Sequence, residues 1–207
     1  MARSALLNVM TQAAMKAGRS LIRDFGEVQN LQVSMKGPAD FVSNADRKAE
    51  EIVFQELSRA RPDWGFLMEE RGELEGKDTQ HRWIVDPLDG TTNFLHRLPH
   101  FAVSIGIQVK GKLEHGVIYA PCTQDLYVAS RGAGALLNNR RIRVSQCKDI
   151  EQALVGTGVP LREENLDRYL PQLRNIAAKT SGVRRAGSAA LDLAYVAAGR
   201  LDAFWEI

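Results

Sequence analysis

The sequence predicts a mixed α/β protein, and two hydrophobic patterns predict it. In the first segment Leu6, Met10, Ala13, Ala17, Leu21 and Phe25 recur every three to four positions, with Lys16, Arg19 and Arg23 off that stripe. Farther along, short β-prone apolar runs at 64–68, 83–85, 102–109 and 113–120 are separated by turn-forming residues. A hydrophobic content of 44% over 207 residues is enough for a sizeable core, in one domain or two small ones. Formal charge is +2 with a pI near 8.6, so composition gives no electrostatic argument for a nucleic-acid partner. The only cysteines, Cys122 and Cys147, exclude a disulfide framework and a four-thiolate zinc site, and a reducing cytoplasm is the expected location. Arg3, Lys16 and Arg19 interrupt the first apolar segment, so neither a signal peptide nor a membrane span is expected.

Taken in order, residues 2–25 form an amphipathic helix that Gly26 ends. A stripe of Leu, Met and Ala belongs to a core more readily than to a membrane surface. Lys36-Gly37-Pro38-Ala39-Asp40 reads as a loop. Ser43-Asn44-Ala45-Asp46 then opens a second helix through Ala49, Ile52, Val53, Leu57 and Ala60, with Asp46 placed to complete a capping box on the Ser43 N–H. Residues 64–68 read as a buried strand delivering Glu69 and Glu70, followed by a polar loop over 71–80. The runs 102–109 and 113–120 make a hairpin through Lys110-Gly111-Lys112, and a third strand follows at 126–130. Gly132 and Gly134 mark a bulge or tight turn, Asn138-Asn139 a further turn, and near 145–150 the chain crosses into a second layer or domain. Residues 155–159 and 183–185 read as strands, and 166–178 as an amphipathic helix. Ser188 caps a helix over 189–198 that Gly199 stops, and 201–207 is strand-like.

The stretch that organises the chain is Trp83-Ile84-Val85-Asp86-Pro87-Leu88-Asp89-Gly90-Thr91-Thr92-Asn93-Phe94. Pro87 has no N–H to give a ladder, so a buried strand is expected to end at Asp86. Asp86 and Asp89 then flank a tight turn, and Gly90-Thr91-Thr92 offers backbone N–H groups and hydroxyls. Carboxylates and a main-chain carbonyl suit a hard divalent cation such as Mg²⁺, while N–H groups at a turn or helix start suit an anion. A bare D-x-x-D-G is more often an ordinary surface turn.

The full stretch resembles the D-P-[IL]-D-G-T-T-N-F motif of the inositol monophosphatase family, within the lithium-sensitive, Mg²⁺-dependent phosphatases. Three further segments resemble that family in order: Asp40 to Asp46 its D-[FLY]-V-[ST]-x-x-D, Glu69-Glu70 its G-E-E-S, and Gly187 to Asp192 its G-[ST]-A-A-x-[DN]. Met68 and Arg71 depart from the second of these, and a cation beside Glu70 is expected to tighten or neutralise that corner. The resemblance implies a layered α/β/α/β/α sandwich of the inositol monophosphatase and fructose-1,6-bisphosphatase superfamily, with a predominantly antiparallel first sheet. Residues 1–145 would form a metal-binding α+β half and 146–207 an incomplete α/β half.

The implied reaction is Mg²⁺-dependent hydrolysis of a phosphate monoester, most simply myo-inositol 1-phosphate. The resemblance assigns Glu69, Asp86 and the Leu88 carbonyl to a first ion, Asp86 and Asp89 to a second, and Asp46 to a weaker third. Thr91 would hold the attacking water. Gly90 and Thr91 would receive the phosphate, with Leu88 and Asp89 also counted among the substrate-binding residues, and Gly187, Ser188, Ala189 and Glu206 would meet the substrate hydroxyls. A fructose bisphosphate or a nucleotide 3′-phosphate are alternative substrates of relatives. The nearest resemblance is to the bacterial extragenic-suppressor subgroup, which implies a possible contact with transcription machinery, for which Arg184-Arg185 and Arg140 to Arg143 are candidate basic residues. A homodimer is a further family-level expectation. Relatives also carry a W-D-x-A-A-G motif beyond the position of Trp205-Glu206, so a chain stopping at Ile207 is expected to lack one Asp ligand and to turn over poorly. His81, His96, His100 and His115 show no H-x-x-x-H spacing and are read as structural.

Overall fold

The structure is a computed structural model that describes residues 4–27, 33–37, 40–160 and 162–207, with backbone alone at 33–37 and 40–43. Ala2 and Arg3 of the expected first helix, Pro38 and Ala39 of the expected loop, and the Ser43 side chain of the expected capping box lie outside the described residues.

Helix α1 (Ala5–Gly26) starts where the Ser4 hydroxyl accepts the Leu7 N–H at 3.2 Å. Its Met10, Ala13, Ala17 and Leu21 are fully buried, which is the stripe expected from the spacing. Strands β1 (Val33–Gly37) and β2 (Asp40–Ser43) pair antiparallel, so Lys36, Gly37 and Asp40 of the expected loop are strand residues instead. Helix α2 (Asn44–Ala60) follows and packs along α1 through Ala49, Val53 and Leu57.

Strands β3 (Trp64–Met68), β4 (Gly72–Leu74) and β5 (Asp78–Asp89) come next, then the short helix α3 (Thr91–Leu95). The polar loop expected over 71–80 is largely strand, because β4 folds back on β3 and β5 begins at Asp78. Gly76 makes this possible: a Cβ there would collide with the backbone at Asp63, Trp64 and Gly65. Strands β6 (Ala102–Val109), β7 (Lys112–Ala120), β8 (Asp125–Ser130), β9 (Gly134–Leu137) and β10 (Arg140–Arg141) run on as a meander with positive-φ turns at Lys110-Gly111 and Asn138-Asn139. These strands form an eight-stranded sheet in the order β10-β9-β8-β7-β6-β5-β3-β4, antiparallel except for the parallel pair β3 and β5.

After a 3-10 turn at Ile150–Gln152 come β11 (Leu154–Thr157), α4 (Glu163–Ala177), β12 (Gly182–Arg184), α5 (Ala189–Ala197) and β13 (Ala203–Trp205). The strands β12-β11-β13 form a second, all-parallel sheet. The layers follow from side-chain alternation. Val103, Ile105 and Ile107 of β6 face α1 and α2, while Ala102 of the same strand packs with Leu191 and Ala194 of α5. On β11, Thr157 meets Tyr169 of α4 at 3.1 Å, whereas Gly156 faces Asp192 of α5 together with Leu201 and Phe204. The order is therefore helix pair, large sheet, α5, small sheet, α4, the five-layered mixed α/β sandwich anticipated above.

Candidate active site

The site is built where β3 and β5 end side by side. Their parallel register sets Met68 beside Val85, so Glu69 leaves its strand next to Asp86. The strand does not stop at Asp86 as expected. It continues to Asp89 because Pro87 and Leu88 are bulged out between two paired positions, Asp86 with Ser104 and Asp89 with Ala102 of β6. The bulge removes the need for a Pro87 N–H, and the side chain of Leu88, 1% exposed, anchors it in the core.

Two hydrogen bonds set the turn. The Leu88 N–H donates to Asp86 Oδ1 at 3.1 Å, and the Thr91 hydroxyl donates to the Leu88 carbonyl at 3.0 Å. Gly90 is in the left-handed region at φ 99°, and a Cβ there would lie 3.0 Å from the His100 carbonyl, so this position needs glycine. The amides of α3 begin directly after it, in the first turn where a helix leaves N–H groups without intrahelical partners.

Four acids gather around the bulge. Burial raises the Asp86 carboxyl well above the usual carboxylate range, and the charges of Asp89, Glu69 and Asp46, with a hydrogen bond shared with Glu69, raise it further. Asp46, 1% exposed, comes from the first turn of α2. Burial also raises Asp89, but the Ser188 hydroxyl and the Ala190 and Ala189 N–H groups offset part of that. Asp89 Oδ2 accepts the Ala190 N–H at 2.8 Å and the Ser188 hydroxyl, so this carboxylate docks on the start of α5. Among the described residues no group of three or more His, Cys, Asp or Glu side chains closes on a common point. The acids approach near enough to repel one another without converging. Hard oxygen donors crowded at a cost in charge are a set that a divalent cation fits.

Gly187 is in the left-handed region at φ 89° against Asn93, and Ser188 caps α5, its Oγ 3.4 Å from the Leu191 N–H. Ala189 opens the helix, and Glu206 follows β13, with its carboxylate over the bare Cα of Gly158. The structure therefore brings Glu69, Asp86, Leu88, Asp89, Gly90, Thr91 and Asp46 to one strand end. It joins Gly187, Ser188 and Ala189 to them through Asp89, and sets Glu206 on the rim of the small sheet.

Arg71 tightens the corner beside Glu70, one of the two outcomes expected, by way of Glu50, which accepts the Glu70 N–H. Its guanidinium turns to α2, pairing with Glu50 at 3.3 Å and with Glu51 over the Phe54 ring, while Arg47 lies 4.0 Å from Glu70.

Three residues had no role in the sequence reading. Glu50, 1% exposed, accepts the Glu70 N–H at 2.8 Å and so positions the Glu69-Glu70 turn from α2. Its signal was a place one turn beyond Asp46, on the buried helix face. Asn93, 4% exposed, donates to the His100 carbonyl at 2.8 Å and the Ala186 carbonyl at 2.9 Å, tying the acid loop to the start of α5. Asp192, 2% exposed, is pushed up to about 6 by burial and by the charges of Asp89 and Glu206, with Arg185 opposing. Of the histidines, His81 lies 2.8 Å from Asp78 and stacks on Trp64, and His115 lies 2.9 Å from Ser130. Burial lowers the pKa of His100, and the nearby charge of Asp89 offsets this in part.

The model of the inositol monophosphatase family matches residues 2–207. The chain belongs to the inositol monophosphatase family. It is 65% identical over 207 residues to an inositol-1-monophosphatase of Mesorhizobium japonicum, covering 100% of this chain and 78% of that protein. It is 43% identical over 203 residues to the Nus factor SuhB of Escherichia coli K12, covering 98% and 76% respectively. The fold superposes on the crystal structure of the extragenic suppressor protein suhB from Bartonella henselae with a TM-score of 0.96 at 63% identity, covering 98% of this chain and 78% of that one. Membership accounts for the order of the four motifs along the chain and for the layered fold around them. Among the described residues no helix is long and apolar enough to cross a membrane.

Proposed function

We propose that the protein hydrolyses a phosphate monoester, myo-inositol 1-phosphate being the first candidate, with Mg²⁺ as cofactor. The observation that carries this reading is the crowding of Asp46, Glu69 and Asp89 around the buried Asp86, beside a helix start. When bound, divalent cations supply Lewis-acid charge to the phosphoryl group and the leaving oxygen. Glu69, Asp86 and the Leu88 carbonyl would hold one ion, Asp86 and Asp89 a second, and Asp46 a weaker third.

The remaining work falls to this chain's own groups. Gly90 and Thr91 present backbone N–H groups to the phosphate oxygens, where a helix start favours an anion. The Thr91 hydroxyl, 3.0 Å from the Leu88 carbonyl, is fixed in direction and offers its oxygen to hold the attacking water in line. Asp89 is oriented by Ser188 and Ala190, so the start of α5 sets where the alcohol half of the ester sits relative to the acids. Gly187, Ser188, Ala189 and Glu206 are the groups we assign to its hydroxyls.

Release of phosphate from myo-inositol 1-phosphate, measured with and without Mg²⁺ and Li⁺ and against fructose 1,6-bisphosphate and a nucleotide 3′-phosphate, tests this reading. Mg²⁺-dependent turnover that favours the inositol ester supports it. Absence of turnover on every ester at saturating Mg²⁺ would overturn it. A second reading, association with transcription machinery, is favoured by the relatives named Nus factor SuhB. RNA polymerase binding that survives Asp86→Asn would support such a scaffold role independent of catalysis. We also infer a homodimer from the family, and sedimentation showing only monomer at micromolar protein would count against it.

A further inference from the structure

The four acids of the site are not held equally. Asp86 and Asp89 lie in β5 and pair with Ser104 and Ala102 of β6, and Asp46 stands in the first turn of α2. Glu69 alone leaves regular structure: with Glu70 and Arg71 it makes the three-residue turn that joins β3 to β4. Strand β4 is three residues long and forms the edge of the large sheet, so few ladder bonds fix that turn. Yet Glu69 is the acid that shares a hydrogen bond with Asp86.

Helix α2 supplies what the ladder does not. Glu50, one turn beyond Asp46 and 1% exposed, uses both carboxylate oxygens: Oε2 accepts the Glu70 N–H at 2.8 Å, and Oε1 lies 3.3 Å from Arg71 Nε. Arg71 also pairs through Nη2 with Glu51, and its Cζ lies 4.6 Å from the centroid of the Phe54 ring. One planar side chain thus grips Glu50, Glu51 and Phe54 together, which suits the fixed fork of a guanidinium and not the point charge of an ammonium. Serine, the residue of the family motif at this place, is too short to bridge all three.

We propose that Arg71 is a positioning residue: gripping α2 through Glu50 and Glu51, it fixes the turn after β3 so that Glu69 and Asp46 are held in one geometry for a divalent cation, and the affinity for that cation depends on it. This rests on the metal assignment in the phosphatase reading above. The sign of the effect separates positioning from charge. A cationic side chain repels an ion bound nearby, so loss of the Arg71 charge by itself would tighten binding. Loss of a support loosens it, and partners that orient metal ligands typically account for about 10–100-fold in affinity.

The test is direct binding of Mn²⁺ without substrate, followed by the loss of the free-ion paramagnetic resonance signal, on wild type, Arg71→Ala, Arg71→Lys and Lys16→Ala. Lys16→Ala removes the Lys16–Glu56 pair, which ties α1, not the turn, to the same helix α2. Arg71→Ala is expected to raise the Kd for Mn²⁺ about tenfold or more. Arg71→Lys, which keeps the charge and loses the fork, is expected to raise it about threefold or more, and Lys16→Ala less than about twofold. Melting curves in chelator establish that each variant is folded, and Arg71→Lys carries the test if Arg71→Ala does not fold. Unchanged or tighter Mn²⁺ binding in a folded Arg71 variant would overturn the proposal and leave the phosphatase reading intact. An equal loss in Lys16→Ala would overturn it too, because any weakening of α2 would then suffice. Wild type that binds no Mn²⁺ would bring down both.

Discussion

The bulge at the end of β5 and the corner joining β11 to β13 treat a carboxylate in opposite ways. At the corner, Asp202 accepts the Ser145 hydroxyl at 2.5 Å and the Leu154 N–H at 2.6 Å, and these bonds hold its carboxyl below the usual range. At the bulge, Asp86 accepts one backbone N–H at 3.1 Å and faces three other acids, which together with burial hold it well above that range. The first acid is satisfied by the fold and ties segments together. The second makes the fold less stable where it sits, as expected of a group retained for what it binds.

The contrast breaks most sharply at Asp86 itself. Asp86→Asn is expected to lower phosphate release roughly a thousandfold or more at saturating Mg²⁺, since it removes charge from a ligand assigned to two cations. In a chelator the same variant is expected to melt at or above the wild-type temperature, because the amide relieves repulsion from Glu69, Asp46 and Asp89. A clear fall in melting temperature there would show that Asp86 is a structural acid like Asp202.

A smaller effect is expected at Asn93, which joins the two regions. Asn93→Ala leaves the His100 and Ala186 carbonyls without their donor, a loss of about 2 kcal/mol. In a chain of this size that corresponds to a melting shift of roughly 4–8 °C. Activity should fall with it, because Asp89 would lose its fixed relation to the start of α5. Thermal melts and steady-state kinetics on one preparation check both, and a variant that melts normally would remove Asn93 from the link between the regions.

The smallest effect is expected at Asp202. A carboxyl whose pKa is depressed on folding contributes stability that is fully present above its unfolded value, about 3.9, and is lost as pH falls through the lower folded value. Asp202→Ala should therefore lower the melting temperature by a few degrees at pH 7, and the gap should narrow as pH falls below the unfolded value and through the lower folded one. Melts between pH 7 and pH 2.5 measure this. A gap that persists at the acid end would mean that Asp202 works through packing instead of charge.

The sequence by itself determined the four longer helices, most strands of the large sheet and which acids lie near the central turn. Period-3.6 burial in α1 and α2 and the apolar runs of β3, β6 and β7 are local patterns, legible because each residue's side is set by its own element. Glu69 was readable as an acid at a strand end, and Gly90 as a turn residue. Tertiary structure alone decided the rest. Pro87 argued for a strand end, but pairing with Ser104 and Ala102 of β6 carries the ladder across the bulge, and no residue near Pro87 reports that partner. Arg71 stands next to Glu70 in sequence yet spends its charge on Glu50 and Glu51, because α2 crosses that corner. Asn93 and Asp192 acquire meaning only when the acid loop meets α5, a contact between residues about a hundred positions apart. Local periodicity is fixed by backbone geometry, whereas the pairing of distant polar groups is fixed by which surfaces the packed layers bring together.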